Sequence, residues 1–346
     1  MSKTEMLYSK KHVNRAGLAL ISGEPQLHDE AKQVLDNWRA CHIAPLNSFQ
    51  VSLRNELKKI DGEALVSQRL KRTPSILTKI ERNPGMKLAR MQDVGGIRAV
   101  VKNMKRVREI QSAYTSGTKA FSIVSGGKDY INYPKASGYR SVHQIFKCKD
   151  GFSIELQIRT QVQHAWATAV ETMGTFLDHS LKSSEGPDDW LAFFSLASSA
   201  FAILEGTPRI EEYNGMSDQE TFELLLNTEK KLDVDSKLSG FRVVARHIKN
   251  DKKSGKYHLV TLDLDKMTAD IKSYQAKDIE HANAEYSKVE EQVHEGRNIQ
   301  VVLVTSESIA ALKKAYPSYF LDSQNFSKQL GFVEKELEKR KTKKSI

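Results

Sequence analysis

Two stretches carry the side chains that could do chemistry. Lys128 to Val142 (KDYINYPKASGYRSV) sets Lys128 and Lys135 among three tyrosines, Tyr130, Tyr133 and Tyr139. Ammonium groups suit phosphate oxygens, and phenol rings suit a stacked base. Gly138 is a place where backbone can approach a ligand closely, and Pro134 restricts the turn before Lys135. Shortly after comes FSIELQIRT, in which Phe152, Ile154, Leu156 and Ile158 alternate with Ser153, Glu155, Gln157 and Arg159. That period of two predicts a strand with one buried and one polar face, presenting a carboxylate.

A second carboxylate, Asp93, precedes a Gly-Gly pair and a short apolar strand bearing Arg98 in MQDVGGIRAVV. A carboxylate at the mouth of a strand suits Mg²⁺, which takes oxygen ligands and keeps waters and substrate phosphates in its shell. Further upstream, QRLKRTPSILTKIER gathers Arg69, Lys71, Arg72, Lys79 and Arg82 around a Pro-Ser that begins a helix. Cations clustered at a helix start point to a polyphosphate site, with a solvated basic helix as the alternative. Asp93 could equally cap an element, His143 could be a core histidine, and Thr160 could cap the next helix. Within that helix Val162, Ala165, Trp166, Ala169, Met173 and Phe176 recur at core spacing, opposite His164, Thr168, Glu171 and Thr175.

Taken in order, RLKRTPSILTKIER, DVGGIR, KDYINYPKASGYRSVH, IELQIRT and HAWATAVE resemble the synthetase domain of the RelA/SpoT homologue family, the (p)ppGpp synthetases of the stringent response. The resemblance runs from about Arg69 to Glu171, about a third of the chain. It implies an α+β, nucleotidyltransferase-like mixed sheet flanked by helices. It also implies a GTP/GDP diphosphokinase, moving the β,γ-pyrophosphate of ATP to a ribose 3′-hydroxyl with AMP leaving. Such transfer depends on charge neutralisation and in-line positioning. Asp93 would then ligate Mg²⁺, and Glu155 would share that ion or take the hydroxyl proton. Arg69 and Arg98 would sandwich adenine, while Lys71, Ser75, Lys79, Lys128 and Lys135 would hold phosphates. Tyr139 would stack on the acceptor base, with His143, Gln157 and Arg159 lining the same pocket. Small family members often carry a histidine after the position of Glu171, where this chain has Thr172.

Composition bounds the rest. With 346 residues and 39% apolar content the chain can bury one large core or two moderate ones. Cys41 and Cys148 are too few for a disulfide framework or a zinc site. Gly17 to Ile21 is too short an apolar run for a membrane span or a signal-peptide core, so a cytoplasmic protein without a membrane partner is expected. A net charge of +10 favours polyanions, either nucleotides or RNA.

The predicted organisation is a helical segment at 1–62, a synthetase domain at 63–206, a small accessory α+β domain at 210–335 and a basic tail at 336–346. Helices are expected at His28 to Arg39, Pro45 to Ile60, Pro74 to Arg82, Met104 to Tyr114, Gln161 to Leu177 and Asp188 to Leu204. Strands are expected at Ala64 to Leu70, Val94 to Val101, Ala120 to Val124, Ser141 to Lys147 and Phe152 to Arg159. Beyond Gly206 the pattern predicts a helix over Asp218 to Lys231 capped by Ser217, and a hairpin of Phe241 to Lys249 with Tyr257 to Asp265. It then predicts a helix over Ile279 to Val293, a strand over Ile299 to Thr305 and a helix over Ser308 to Ala315. Lys339 to Lys344 (KRKTKK) reads as disordered. The dipeptide His28-Asp29 echoes the family's hydrolase domain without the length for it, so synthesis without alarmone hydrolysis is expected. The acceptor stays open among GDP, GTP, an adenine nucleotide and tRNA, the last in the manner of toxin–antitoxin relatives; an inactive nucleotide sensor is the third reading. The accessory domain would answer to a regulatory protein or to a further copy of the chain.

Overall fold

The alternation from Phe152 onward forms a strand, and eight more join it in a single mixed sheet. The computed structural model describes residues 4–22, 25–115, 120–177, 181, 184–238, 247–250, 255, 257–263, 268–294, 297, 299–305 and 323–344. Helices are α1 (Lys10–Ser22), α2 (Pro25–Ala40), α3 (Ile43–Ile60), α4 (Thr73–Glu81), α5 (Met104–Ala113), α6 (Gln161–Phe176), α7 (Asp188–Glu205), α8 (Asp218–Leu232), α9 (Ile279–His294) and α10 (Gln324–Lys344). Strands are β1 (Leu65–Leu70), β2 (Gly95–Val101), β3 (Phe121–Asp129), β4 (Val142–Cys148), β5 (Ser153–Thr160), β6 (His247–Asn250), β7 (Tyr257–Asp263), β8 (Thr268–Tyr274) and β9 (Ile299–Thr305). Their order across the sheet is β3-β4-β5-β2-β1-β9-β7-β8-β6. Two neighbouring pairs run parallel, β2 with β5 and β6 with β8.

One core lies beneath α1 to α4, where Leu35, Trp38, Phe49 and Leu53 cover the apolar side of β2, β4 and β5. A second gathers Trp166, Phe193, Phe194, Phe222 and Phe326 from α6, α7, α8 and α10. Thr160 caps α6 in a reciprocal box with Gln163, and Ser217 caps α8 with Glu220. Both carry the Ser/Thr-x-x-Glu/Gln spacing that satisfies two orphan amides at once. The stripe opposite the apolar side of α6 is not solvated: His164 and Thr168 are buried, because α6 is packed on more than one side.

Three features depart from the sequence reading. The C-terminal α+β unit extends the same sheet, since β9 pairs with β1 through Gln68↔Thr305 and Arg69↔Val304. The hairpin does not form: β7 pairs with β8 and β9 on its two sides, and β6 lies parallel to β8. β8, which carries Asp270 and Lys272, is not among the strands expected from sequence. Lys339–Lys344 continue α10 as a helix instead of a disordered tail. That helix buries Phe326, Leu330, Val333 and Leu337 at helical spacing, and α8 supplies acids to its basic end. Arg340 meets Asp218 at 2.7 Å, and Lys341 meets Glu223 at 3.0 Å. Residues 239–246 and the expected helix at 308–315 lie outside the described residues. Among the described residues no helix is long and apolar enough to cross a membrane.

His42, at the start of α3, is fully buried between Trp38 and Phe152 and bonds the Trp38 carbonyl at 2.8 Å. Burial pushes its pKa from 6.5 down to about 4. The unfolded chain therefore takes up that proton first, and stability falls as the pH drops from 6.5 toward 4. His42→Asn, which removes the titration, is expected to abolish about 2–3 kcal/mol of the loss between pH 7 and 4.5. Urea unfolding at both pH values checks this; equal acid sensitivity in the two proteins would refute it.

Candidate active site

Strand register alone assembles a polar face at the centre of the sheet. On β1, Ser67 opposes Arg98 of β2, and Arg69 opposes Gly96. On the other side of β2, Gly96 pairs with Glu155 and Arg98 with Gln157 of β5. Gln157 in turn pairs with His143 of β4. Because side chains alternate between faces, Ser67, Arg69, Arg98, Glu155, Gln157 and His143 all project to one side. They surround a cavity of about 230 Å³, completed by Lys71, Asp93, Ile97, Lys135 and Tyr139, with Gly96 in its wall.

The Gly-Gly pair works on both faces. A side chain at Gly95 would meet Leu46 of α3 at 3.2 Å, so its absence lets that helix close on the sheet. At Gly96 the nearest atom to a Cβ would be the Arg69 carbonyl at 3.9 Å, leaving the cavity open between Arg69, Arg98 and Glu155.

Both carboxylates reach this cavity, each held differently. Lys71 and Lys79 approach Asp93 Oδ2 at 3.0 and 2.9 Å. Burial pushes the Asp93 pKa up, but the two ammonium groups outweigh it and hold the group below the ordinary aspartate value. Glu155 Oε1 lies 2.9 Å from His143 Nδ1, and Gln157 donates to Oε2 at 2.7 Å. Its pKa is raised by burial and by the charge of Asp93, and lowered on balance by His143 and Gln157. The other nitrogen of His143 meets the Tyr139 hydroxyl at 2.8 Å, giving a chain Tyr139–His143–Glu155.

Asp93 Oδ1 is buried with no hydrogen-bond partner. An orphan carboxylate oxygen in a polar cavity fits a hard cation. Among the described residues no group of three or more His, Cys, Asp or Glu side chains could hold a metal, so an ion here would complete its shell with water and ligand oxygens.

Of the site residues expected from sequence, Arg69, Lys71, Asp93, Arg98, Lys135, Tyr139, His143, Glu155 and Gln157 line the cavity. Lys79 stands behind Asp93. Ser75, on the first turn of α4, and exposed Lys128, at the end of β3, lie outside the lining. Lys128 sits 5.9 Å over the Tyr130 ring, and Lys135 sits 4.9 Å from the same ring. Arg159 is fully buried rather than on the wall and reaches Gln157 at 3.4 Å. Ser67, Gly96 and Ile97 also line the cavity and were not picked from sequence. The signal for Ser67 was its alternation with Arg69 on a strand that the charge cluster obscured.

The Lys128 to Val142 loop is anchored at both ends. Asp129 accepts the amides of Ile131 and Asn132 and is paired with Arg108 of α5 at 2.5 Å. Buried Arg140 donates to Ser198 of α7 and to the carbonyls of Ile131 and Pro208. Tyr133 is exposed at the tip, whereas Tyr139 is buried at the cavity with its ring edge-on to His143 and Tyr130.

Residues 68–175 match the family model described as the region found in RelA/SpoT proteins. That segment is similar to the RelA/SpoT region. An uncharacterized protein of Mycobacterium tuberculosis (strain H37Rv) is 28% identical over 192 residues, 54% of this chain and 66% of that protein. A guanosine-3′,5′-bis(diphosphate) 3′-pyrophosphohydrolase of Aquifex aeolicus is 28% identical over 47% of this chain, and a probable chloroplastic GTP diphosphokinase of Arabidopsis thaliana is 32% identical over 41%. The matches span only 22% and 20% of those two long proteins. Small alarmone synthetase 1 of Bacillus subtilis, in complex with its product pppGpp, aligns with a TM-score of 0.40 at 26% identity over 47% of this chain and 88% of that one. The matched segment runs from within β1 into α6 and holds every cavity-lining residue except Ser67.

Gly138 in this loop serves packing, not ligand approach. Its φ is +92°, and a Cβ would fall 2.8 Å from Trp166 and 2.9 Å from Ser198, while its carbonyl accepts the Ser198 hydroxyl at 2.7 Å. Gly138→Ala combines a left-handed backbone with overpacking and is expected to cost about 2–4 kcal/mol. A urea midpoint within error of wild type would contradict that account.

Proposed function

We propose that the chain is an ATP-dependent pyrophosphokinase that makes (p)ppGpp from GDP or GTP. The observation that carries the reading is the pairing of Asp93 and Glu155 in one cation-rimmed cavity of a RelA/SpoT region. In this reading the acceptor's 3′-oxygen attacks the β-phosphorus of ATP, the bond from that phosphorus to the α-phosphate oxygen breaks, and AMP leaves. Arg69 and Arg98 lie diagonally across β1 and β2, a spacing suited to holding adenine between guanidinium planes. Lys71, Ser75, Lys79, Lys128 and Lys135 hold phosphates. Lys71 and Lys79 then exchange part of their contact with Asp93 for the triphosphate, which carries the same sign of charge.

Asp93, through its open Oδ1, and Glu155 are the groups that would hold Mg²⁺, which when bound supplies neutralisation of developing phosphate charge. Both Glu155 oxygens are already turned by His143 and Gln157, an arrangement that aims a carboxylate at a hydroxyl proton. Tyr139, His143 and Gln157 form the acceptor side, with Arg159 behind Gln157. The names of the long relatives, one a hydrolase of guanosine-3′,5′-bis(diphosphate) and one a probable GTP diphosphokinase, support guanosine nucleotides as acceptors.

A net charge of +10 favours one further acceptor, the 3′ end of tRNA, and a nucleotide sensor without turnover is disfavoured by retention of both carboxylates. Labelled ATP offered in parallel to GDP, GTP, ATP and deacylated tRNA separates these readings. Label transfer to GDP or GTP is expected; transfer to tRNA alone, steeply weakened by salt, would replace the reading. Glu155→Gln is expected to lower kcat by about 10²-fold or more with ATP still bound. Tyr139→Ala is expected to raise the acceptor KM about tenfold or more and leave the ATP KM nearly unchanged. Wild-type turnover in Glu155→Gln would remove the assignment.

A further inference from the structure

We propose that Glu290 and Arg39, which lie behind the cavity wall, are positioning residues that fix the segment carrying Lys71, so that the C-terminal extension is a working part of the ATP site. The proposal rests on the reading of Lys71 as a phosphate-holding group.

The geometry is a buried polar seam between α2 and α9. Glu290 of α9 accepts the Thr73 amide through Oε1 at 3.1 Å, at the first residue of α4. Arg39 of α2 donates from Nε to the Lys71 carbonyl at 3.1 Å and from Nη1 to the Thr73 hydroxyl at 3.1 Å. The same guanidinium lies 3.5 Å from Glu290 Oε2 and 4.8 Å from the centre of the Tyr286 ring, whose hydroxyl bonds Glu290. Arg39, Thr73, Tyr286 and Glu290 are all buried, and none of them lines the cavity. On the cavity side, the Lys71 amide donates to the Val94 carbonyl at 2.8 Å, next to Asp93. Residues 71 to 73 are thus pinned from behind by α2 and α9 and from the front by the strand that follows Asp93.

This arrangement also changes the reading of the α4 N-terminus as a free polyphosphate cradle. One of its amides is already held by a carboxylate from 217 residues downstream. The phosphate-facing work then falls to the side chains of Lys71, Ser75 and Lys79, whose backbone that carboxylate orders. A parallel tie one strand earlier runs from Tyr257 of β7 through Asn47 to Gln68, at 3.1 and 2.7 Å. Gln68 neighbours Arg69, and β9 pairs with both.

A buried charge pair is not an efficient glue, because desolvation offsets most of its attraction and an apolar contact of the same size would hold two helices as well. What Arg39 and Glu290 provide that leucines would not is direction. Between them they satisfy one backbone carbonyl, one amide and one hydroxyl within three residues, which fixes where Lys71 points. Farther out, the seam continues as Asp36 with Ser287 at 3.2 Å and Lys32 with Glu291.

The test uses the full chain and titration calorimetry with a non-hydrolysable ATP analogue and, separately, GDP. Glu290→Ala removes the acceptor of the Thr73 amide and is expected to weaken the analogue about tenfold or more, the effect of one buried amide left unpaired. Glu290→Gln keeps an oxygen for that amide and is expected to weaken it by only about threefold. GDP affinity is expected to stay within about twofold in both, and Lys32→Ala to change neither ligand. Thermal melts set a temperature at which each variant is folded. Where Glu290→Ala does not fold, Glu290→Gln decides. Unchanged analogue affinity in the folded variants, or an equal loss for GDP, would overturn the positioning role. A wild-type chain that binds no ATP analogue would instead overturn the reading of the site itself.

Discussion

Two carboxylates share one small cavity, and the groups around them are what allow both to stay ionised. Asp93 and Glu155 repel each other, and both are largely removed from water. At an effective dielectric of about 20, unit charges about 4 Å apart interact by about 4 kcal/mol. The two ammonium groups on Asp93 therefore work on the same scale as its burial cost. Among the described residues Glu155 is instead held by His143 and Gln157. The same lysines that compensate Asp93 stand where a triphosphate would bring more negative charge, which ties the resting electrostatics of the site to its proposed occupancy.

That electrostatic arrangement depends on register. A slip of one residue between β2 and β5 would send Glu155 and Gln157 to the apolar face under α3. The slip is opposed by Ile97, Ala99, Ile154, Leu156 and Ile158, each fully buried on the other side. Gly95 adds a shape constraint, since a Cβ there would crowd Leu46 at 3.2 Å. The core thus specifies which face Glu155 occupies, and His143 and Gln157 then orient its oxygens.

Much of the site was legible in the sequence because strand alternation is a local property. Glu155 and Gln157 could be placed on the polar face from period two, whereas the role expected of Arg98 came from the resemblance. The core side of α6 and the caps at Thr160 and Ser217 were legible for the same reason. Arg159 was misplaced because alternation does not tell a wall residue from one buried beneath the wall. Gly138 was misread because its neighbours Trp166 and Ser198 lie 28 and 60 residues away, and no local pattern announces them. Beyond Gly206 the reading weakened where short strands carry charge, as in β8, and where a basic run finds acidic partners on another helix, as at Arg340 and Lys341.

The placement of β9 bears on what the C-terminal extension is for. An accessory domain that merely tethers a partner needs few contacts with the catalytic unit, and its removal would leave the sheet intact. Here β1, which carries Ser67 and Arg69 into the cavity, has β2 on one side and β9 on the other. Without β9 it would become an edge strand with unpaired amides and carbonyls along the segment that feeds Lys71. Glu290 reaches the same segment from the helix that precedes β9. Strand pairing, a buried carboxylate and the Tyr257–Asn47–Gln68 tie thus converge on residues 68 to 73 from elements more than 180 residues downstream. The C-terminal elements therefore hold in place the segment that carries Lys71, one of the cations beside Asp93.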